Sequence, residues 1–498
     1  MSTAVSNDLD WYVSRSNLRA SYLKYHAITS FACTLFIYSR CQQTTTKLKY
    51  RRVSLLGHGE LTAVHSASII EYTNQAGATV SMPVDATHKR DTRVCVKEFS
   101  WSSAPRKQRL DSLFELRLLA AINHPAIVRM YCAGFYTRKL HHNEQPEPTA
   151  DTSSSASLST TQDCMSTSSA VAVALIEPSS LSAQQLQALA AEPRPFTPFG
   201  NPELTPLLRK KDTASDSSSG NCDSADAAQL EVVLCVFMEL CDGGDVDRLL
   251  WELQQMFHLA PDALLLPDAS AACPPAPELP DALPSLSLLE GCSGGVPEVT
   301  VWVYAAQLVL ALSYLHLRGK PVVHRDIKPA NVYLKTDALL ALGDFGIAMP
   351  QVQPAADEAG AKAAAAVATR GHVVGTPAFL APELLRGSLA TPASDVWGLG
   401  CVLFQLCCGQ QLFRGDNIAV LSQAILDFQG PPRLRRSQAL NQLLCAMLAP
   451  AAAQRPTAYA LATHPLISRA LAALQRTCAA AAAGTGAFAS LSEVKRGV

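Results

Sequence analysis

The stretch His324-Arg325-Asp326-Ile327-Lys328-Pro329-Ala330-Asn331 sets a carboxylate, an ammonium and an amide within six residues, and Asp344-Phe345-Gly346 adds a second carboxylate thirteen residues after Asn331. An Asn and an Asp are hard oxygen donors of the kind Mg²⁺ prefers. An Asp with a Lys two residues on can hold a proton acceptor beside developing negative charge. Taken alone, the block also fits a chance arrangement at a buried strand end, with His324 satisfied in a core. The blocks that follow in order weigh against chance: Gly375-Thr376-Pro377, Ala381-Pro382-Glu383, Asp395-Val396-Trp397-Gly398-Leu399-Gly400 and Gln454-Arg455-Pro456. Asp344 to Glu383 spans 40 residues, counting both ends. Upstream, Val301, Ala305, Leu308, Leu312 and Leu315 mark one face of a long helix running into the block, core positions that carry no chemistry.

The amino-terminal half reads differently. Tyr50 to Leu56 and Leu61 to Ser68 are expected as two strands about Gly57-His58-Gly59, by itself an ordinary glycine hairpin. Residues 69 to 92 form a long connection to Arg93-Val94-Cys95-Val96-Lys97, an alternating strand that ends in lysine; Lys89, between His88 and Arg90, lacks such a run. Leu110 to Ile122 carries Leu113, Leu116, Leu119 and Ala120 at helical spacing, with Glu115 among them. Val232 to Glu239 is the next strand, closed by Asp242-Gly243-Gly244-Asp245, where Asp245 suits a helix N-cap as well as a ligand contact.

Together these blocks resemble the eukaryotic protein kinases over about residues 48 to 470. Lys328 followed by Pro329 resembles the serine/threonine branch, and Cys241 to Asp245 with Gly375-Thr376-Pro377 is similar to NIMA-related kinases. The resemblance implies an α+β, bilobal fold, with a small β-rich N-lobe and a larger, mostly helical C-lobe. It implies ATP and Mg²⁺. The nucleotide-binding set would be Leu56, Gly57, Gly59, Val64, Cys95, Lys97, Glu115, Met238, Glu239, Cys241, Asp245 and Asp344. Within it Val64 and Cys95 would face adenine, Lys97 the α- and β-phosphates with Glu115 as its ion-pair partner, and Asp245 a ribose hydroxyl. Thr62 stands where the third glycine of the kinase loop usually falls. Asp326 would orient a substrate hydroxyl and accept its proton, Lys328 would place a cation near the transferred phosphate, and Asn331 with Asp344 would hold the metal. Thr376 would hydrogen-bond Asp326 and Lys328, and Arg455 would pair with Glu383. Arg325 would meet a phosphate on the segment from Asp344 to Glu383, which resembles an activation segment and for which Thr369 is the candidate because His372 stands three before Gly375; the alternative is phosphate-independent activity.

Length and composition frame this reading. The chain has 498 residues, a formal net charge of −1 and 48% hydrophobic residues, a share inflated by alanine. So balanced a charge gives no push toward nucleic acid or an anionic membrane, and neither is expected as a partner. Fifteen cysteines without paired CxxC spacing fit reduced thiols and a cytoplasmic protein. The apolar stretch from Ala27 to Tyr38 is shorter than the about 20 residues a membrane span needs. Residues 1–46 are expected as an extension, 47–470 as the kinase domain and 471–498 as an alanine-rich tail. Two segments, one near 137–229 rich in Ser, Thr, Ala, Pro and Gln and one near 256–297 rich in Pro, Ala and Leu, are expected as disordered insertions that offer docking sites. The expected partners are protein substrates bearing Ser or Thr. A pseudokinase scaffold is the alternative, one that loss of Lys97, Asp326 or Asp344 would favour; all three are present.

Overall fold

The computed structural model describes residues 45–74, 79–81, 93–139, 170–176, 230–257, 264–266, 272–279, 295–335, 339–351 and 375–482. Residues 1–44, Lys89, the 361–369 alanine run, Thr369, His372 and the end of the chain from 483 lie outside them. The chain divides into two compact units, one from 33–121 with 130–240, the other from 122–129 with 241 onward.

The first unit is β-rich. Its strands are β1 (Thr45–His58), β2 (Thr62–Asn74), β3 (Thr79–Ser81), β4 (Arg93–Ser100), β5 (Met130–Lys139), β6 (Ala170–Ile176) and β7 (Leu230–Met238). All pairings are antiparallel, and the order β1-β6-β5-β7-β4-β2-β3 returns on itself because β1 also pairs with β2. Six strands therefore close a ring, with β3 added on β2, so no edge is left on the ring. Period-two alternation sends Leu48, Tyr50, Ala67, Ile69, Val94, Val96, Cys235 and Phe237 to one buried cluster. The opposite parity puts Val64, Cys95, Lys97 and Met238 together, because Val64 lies opposite Lys97 and Cys95 opposite Met238.

Sequence and structure differ over the first insertion. The segment near 137–229 contributes strand β6, and its first residues, 137–139, belong to β5. Ala170-Val-Ala-Val-Ala-Leu-Ile176 is apolar and rich in β-branched residues, so it suits a strand even inside a polar segment. β2 likewise runs to Asn74 and is followed by β3, within what reads as connection. A helix over Arg106–Ala120 buries Arg109, Leu113, Leu116 and Leu119, one turn earlier than the expected Leu110 to Ile122.

The second unit is built round the helix Glu298–Leu317, buried along its whole length from Thr300 to His316. It is the one described helix long and apolar enough to cross a membrane, and here it is a protein core. Pro392–Cys408 packs beside it; its start carries a capping box between Thr391 and Ser394, and Gly409 ends it at φ 72°. The second insertion also packs in part: Leu266 N–H donates to Arg433 O, Arg435 N–H donates to Leu264 O, and Leu264 and Leu279 are buried. Pro465–Ala482 is one helix that runs on into the alanine-rich stretch expected from 471, with Leu471, Ala473 and Leu474 buried; alanine favours that continuation.

Candidate active site

In the helical unit, Val322–Val323 leads into the loop 324–328 and a 3₁₀ turn at Pro329–Asn331 follows. The loop bends through Arg325 at φ 72°, and Asp344 sits at φ 55°. Non-glycine residues reach that region only when their surroundings hold them there. Asp395, 1% exposed, does the holding for the first bend: Oδ2 accepts the His324 N–H at 2.8 Å and Oδ1 the Arg325 N–H at 2.9 Å. His316 Nε2 lies 2.8 Å from the same carboxylate. Burial lowers the His324 pKa, so its ring is neutral; Nδ1 accepts the Asp326 N–H at 3.3 Å, and Nε2 then donates to Gly343 O at 3.1 Å. This bond joins the loop to the strand that delivers Asp344.

Asp326 lies at the centre of a closed set of donors. Oδ2 accepts from Lys328 Nζ at 2.8 Å and Asn331 Nδ2 at 2.9 Å, while Oδ1 accepts from the Thr376 backbone N–H at 3.1 Å and Thr376 Oγ1 at 3.0 Å. Lys328 Nζ also donates to Thr376 Oγ1 at 2.8 Å. Burial pushes the Asp326 carboxyl up, but the Lys328, Thr376 and Asn331 bonds outweigh it and hold the group below the usual carboxylate range. Gly375 makes the approach of Thr376 possible. At φ 118° a side chain there would be strained, and its Cβ would come 2.9 Å from Arg325 O.

The donor set suits Mg²⁺. The Asn331 amide nitrogen is spent on Asp326 O and Oδ2, which leaves the amide oxygen as its ligand atom, and Asp344 adds a carboxylate. Among the described residues no group of three or more His, Cys, Asp or Glu could hold a metal. Two oxygen side chains are the modest set from which Mg²⁺ keeps waters and phosphate oxygens as its other ligands. Arg325 Nη1 points at the Met349 thioether.

Farther along, Arg455 donates to Glu383 Oε1 at 2.7 Å and Oε2 at 2.9 Å. Asp245 takes the capping position: Oδ1 accepts the Arg248 N–H at 2.9 Å, ahead of the helix Val246–Phe257. Cys241 precedes it by four residues, half-buried and not in a disulfide.

In the β-rich unit, Lys97 Nζ donates to Glu115 Oε1 at 2.8 Å and Oε2 at 3.0 Å. Val64, Lys97 and Val236 lie abreast on neighbouring strands, and Cys95 lies beside Met238, which Glu239 follows. Burial pushes the Cys95 thiol up to about 12, against the pull of Lys97, so it is a small apolar group. Leu56 is exposed beside Gly57, while Gly59 N–H donates to Thr62 O at 2.8 Å and closes the hairpin turn.

Two features escaped sequence reasoning. His316 reads as one more position on an apolar helix. Glu98, which follows Lys97 in the strand and drew no reading, is 2% exposed and accepts from Tyr50 Oη at 2.7 Å, Arg52 Nε at 2.6 Å, Arg52 Nη2 at 2.9 Å and Tyr136 Oη at 3.0 Å. Strict alternation with Lys97 was the available signal.

Comparison with known proteins agrees with this geometry. Residues 284–467 match the protein kinase domain family model, a range that falls in the helical unit. Human 3-phosphoinositide-dependent protein kinase 1 is 36% identical over 136 residues, 27% of this chain and 22% of that protein. Serine/threonine-protein kinase PDK1 of Cryptococcus neoformans var. grubii is 40% identical over 125 residues, 25% of this chain and 9% of its own. Serine/threonine-protein kinase nekl-2 of Caenorhabditis elegans is 34% identical over 173 residues, 34% of this chain and 44% of its own, in keeping with the NIMA-like blocks. The chain thus spans less than half the length of each of these relatives. With their ordered blocks, their loop geometry and these matches, residues 284–467 form a protein kinase domain similar to those of serine/threonine kinases.

Proposed function

We propose that this protein transfers the γ-phosphate of ATP to serine and threonine hydroxyls of other proteins. The observation that carries the reading is the Asp326 carboxylate, held ionised by Lys328, Asn331 and Thr376. Asp326 orients the incoming hydroxyl and takes its proton as the bond to phosphorus forms. Lys328, tied to both Asp326 and Thr376, keeps a cation beside the transferred group. Asn331 and Asp344 would hold Mg²⁺, which when bound neutralises phosphate charge. In the β-rich unit, Glu115 directs the Lys97 ammonium toward the α- and β-phosphates, and Val64, Cys95 and Met238 supply an apolar face for adenine. None of the described cysteines is in a disulfide, which supports a cytoplasmic setting.

The test is transfer of label from radiolabelled ATP to a generic protein substrate. Asp326→Asn is expected to fold normally and to lose about 10²-fold or more in turnover, the usual contribution of a positioned acid–base group. Equal labelling by both proteins would leave a binding scaffold as the better reading.

A further inference from the structure

Strand β6 comes from a segment that separates β5 from β7 by about 90 residues of chain, and it fills the gap between β1 and β5. Five residues of β1, Lys47 to Arg51, pair with Ala174 to Ala170, and Ala133 to Phe135 of β5 pair with Ile176 to Ala174. Across that closed gap Arg52 Nη2 donates to Tyr136 Oη at 2.6 Å, and both side chains then converge on Glu98 of β4. The hub therefore takes donors from β1 and β5, whose spacing β6 sets, and an acceptor from the strand that carries Lys97. Glu98 and Lys97 are adjacent and point to opposite faces of one strand. Burial pushes the Glu98 carboxyl up, yet the Arg52 and Tyr50 bonds hold it below its usual range, so it accepts as an anion. Four charge-assisted bonds on one carboxylate fix β4 along its own axis, which apolar neighbours do not do.

We infer that the strand Ala170–Ile176 and the hub around Glu98 form a positioning device for Lys97, with Glu98 as a positioning residue. The inference rests on the reading of Lys97 as the lysine that meets ATP phosphates. It makes the inserted segment part of the nucleotide-binding unit. Loosening the hub lets β4 shift, and the Lys97 ammonium then loses its place against Glu115.

The experiment uses the full chain with Glu98→Ala, Glu98→Asp and the pair Val173→Pro/Ala174→Pro, which removes ladder donors of β6 but leaves every hub side chain in place. Acetic anhydride labelling of Lys97 without nucleotide, mapped by mass spectrometry, reads the Lys97–Glu115 pair directly. About tenfold faster labelling is expected for Glu98→Ala and for the proline pair, the scale of a lost charged hydrogen bond, with Glu98→Asp between them and wild type. The KM for ATP is expected to rise about tenfold while that for peptide stays within about twofold. Unchanged Lys97 labelling in variants with native circular dichroism would overturn the inference, as would equal rises in both KM values. Should Glu98→Ala not fold, the proline pair carries the test. Faster labelling with an unchanged KM for ATP would support the device and instead remove the ATP role of Lys97.

Discussion

Replacing Glu383 by alanine should destabilise the helical unit by about 3 kcal/mol, at the lower end of what breaking a buried ion pair costs. Every donor of Arg455 is in use: Nε to Ala449 O at 2.8 Å, Nη1 to Ala393 O at 3.0 Å and Glu383 at 2.7 Å, Nη2 to Pro450 O at 3.1 Å and Glu383 at 2.9 Å. Its side chain has no exposure, so Glu383→Ala strands a cation that water does not reach. Three carbonyls and the face of Trp397, 4.8 Å from the guanidinium carbon, remain, and Glu383 is itself 15% exposed; both soften the loss. In urea, with a slope of about 3 kcal/mol per molar, the midpoint should fall by about 1 M, read by tryptophan fluorescence. Arg455→Met in the same chain removes the stranded charge, so the double variant should cost at least about 1 kcal/mol less than the two singles summed. A loss under about 1 kcal/mol for Glu383→Ala, with additive singles, would refute the reasoning.

Three further outcomes follow from the loop. Thr376→Val keeps the backbone N–H on Asp326 but deletes the hydroxyl that links Asp326 to Lys328, so kcat should fall about tenfold while Thr376→Ser stays near wild type, measured by steady-state kinetics. Because Lys328 helps hold Asp326 below the usual carboxylate range, the acid limb of kcat/KM should lie below the ordinary aspartate value of about 3.9 and move upward in Lys328→Met; a limb that does not move would show that another group titrates. Asp395→Ala leaves the His324 and Arg325 N–H groups without their acceptor and should cost about 2 kcal/mol or more in urea unfolding, together with most of the turnover.

Much of the site was legible because its chemistry is local. Asp326, Lys328 and Asn331 meet within one turn of chain, and Thr376 reaches them through a glycine that the sequence shows. Lys97 and Glu115 were legible as a strand followed by an amphipathic helix. β6 was not, because a polar segment of about 90 residues hides a seven-residue apolar run when judged by composition, and the run pairs with Lys47 to Arg51, more than a hundred residues earlier. The backbone bonds of Leu264 and Leu266 to residues near Leu434 are equally remote, and side-chain periodicity carries no trace of them. The helical start of the alanine-rich stretch was hidden for the opposite reason: an alanine run reads as low complexity, yet it prolongs a helix begun by Leu466 and Ile467.

Both units solve one problem in the same way. A catalytic side chain must be fixed to a fraction of an ångström, and apolar packing alone does not fix a strand along its length. A slip of one residue in β4 would turn Lys97 inward, which burial forbids. A slip of two would keep Val and Lys on their proper faces and cost an apolar barrel little. It would also carry Glu98 away from Tyr50, Arg52 and Tyr136 and leave a buried anion unpaired, a far larger penalty. Asp395 acts likewise in the helical unit: its two oxygens take consecutive N–H groups, a match that one loop conformation satisfies, with Arg325 at φ 72°. In each case a costly buried carboxylate stands beside the candidate site residues rather than among them, and its donors exclude the neighbouring registers that hydrophobic burial would accept.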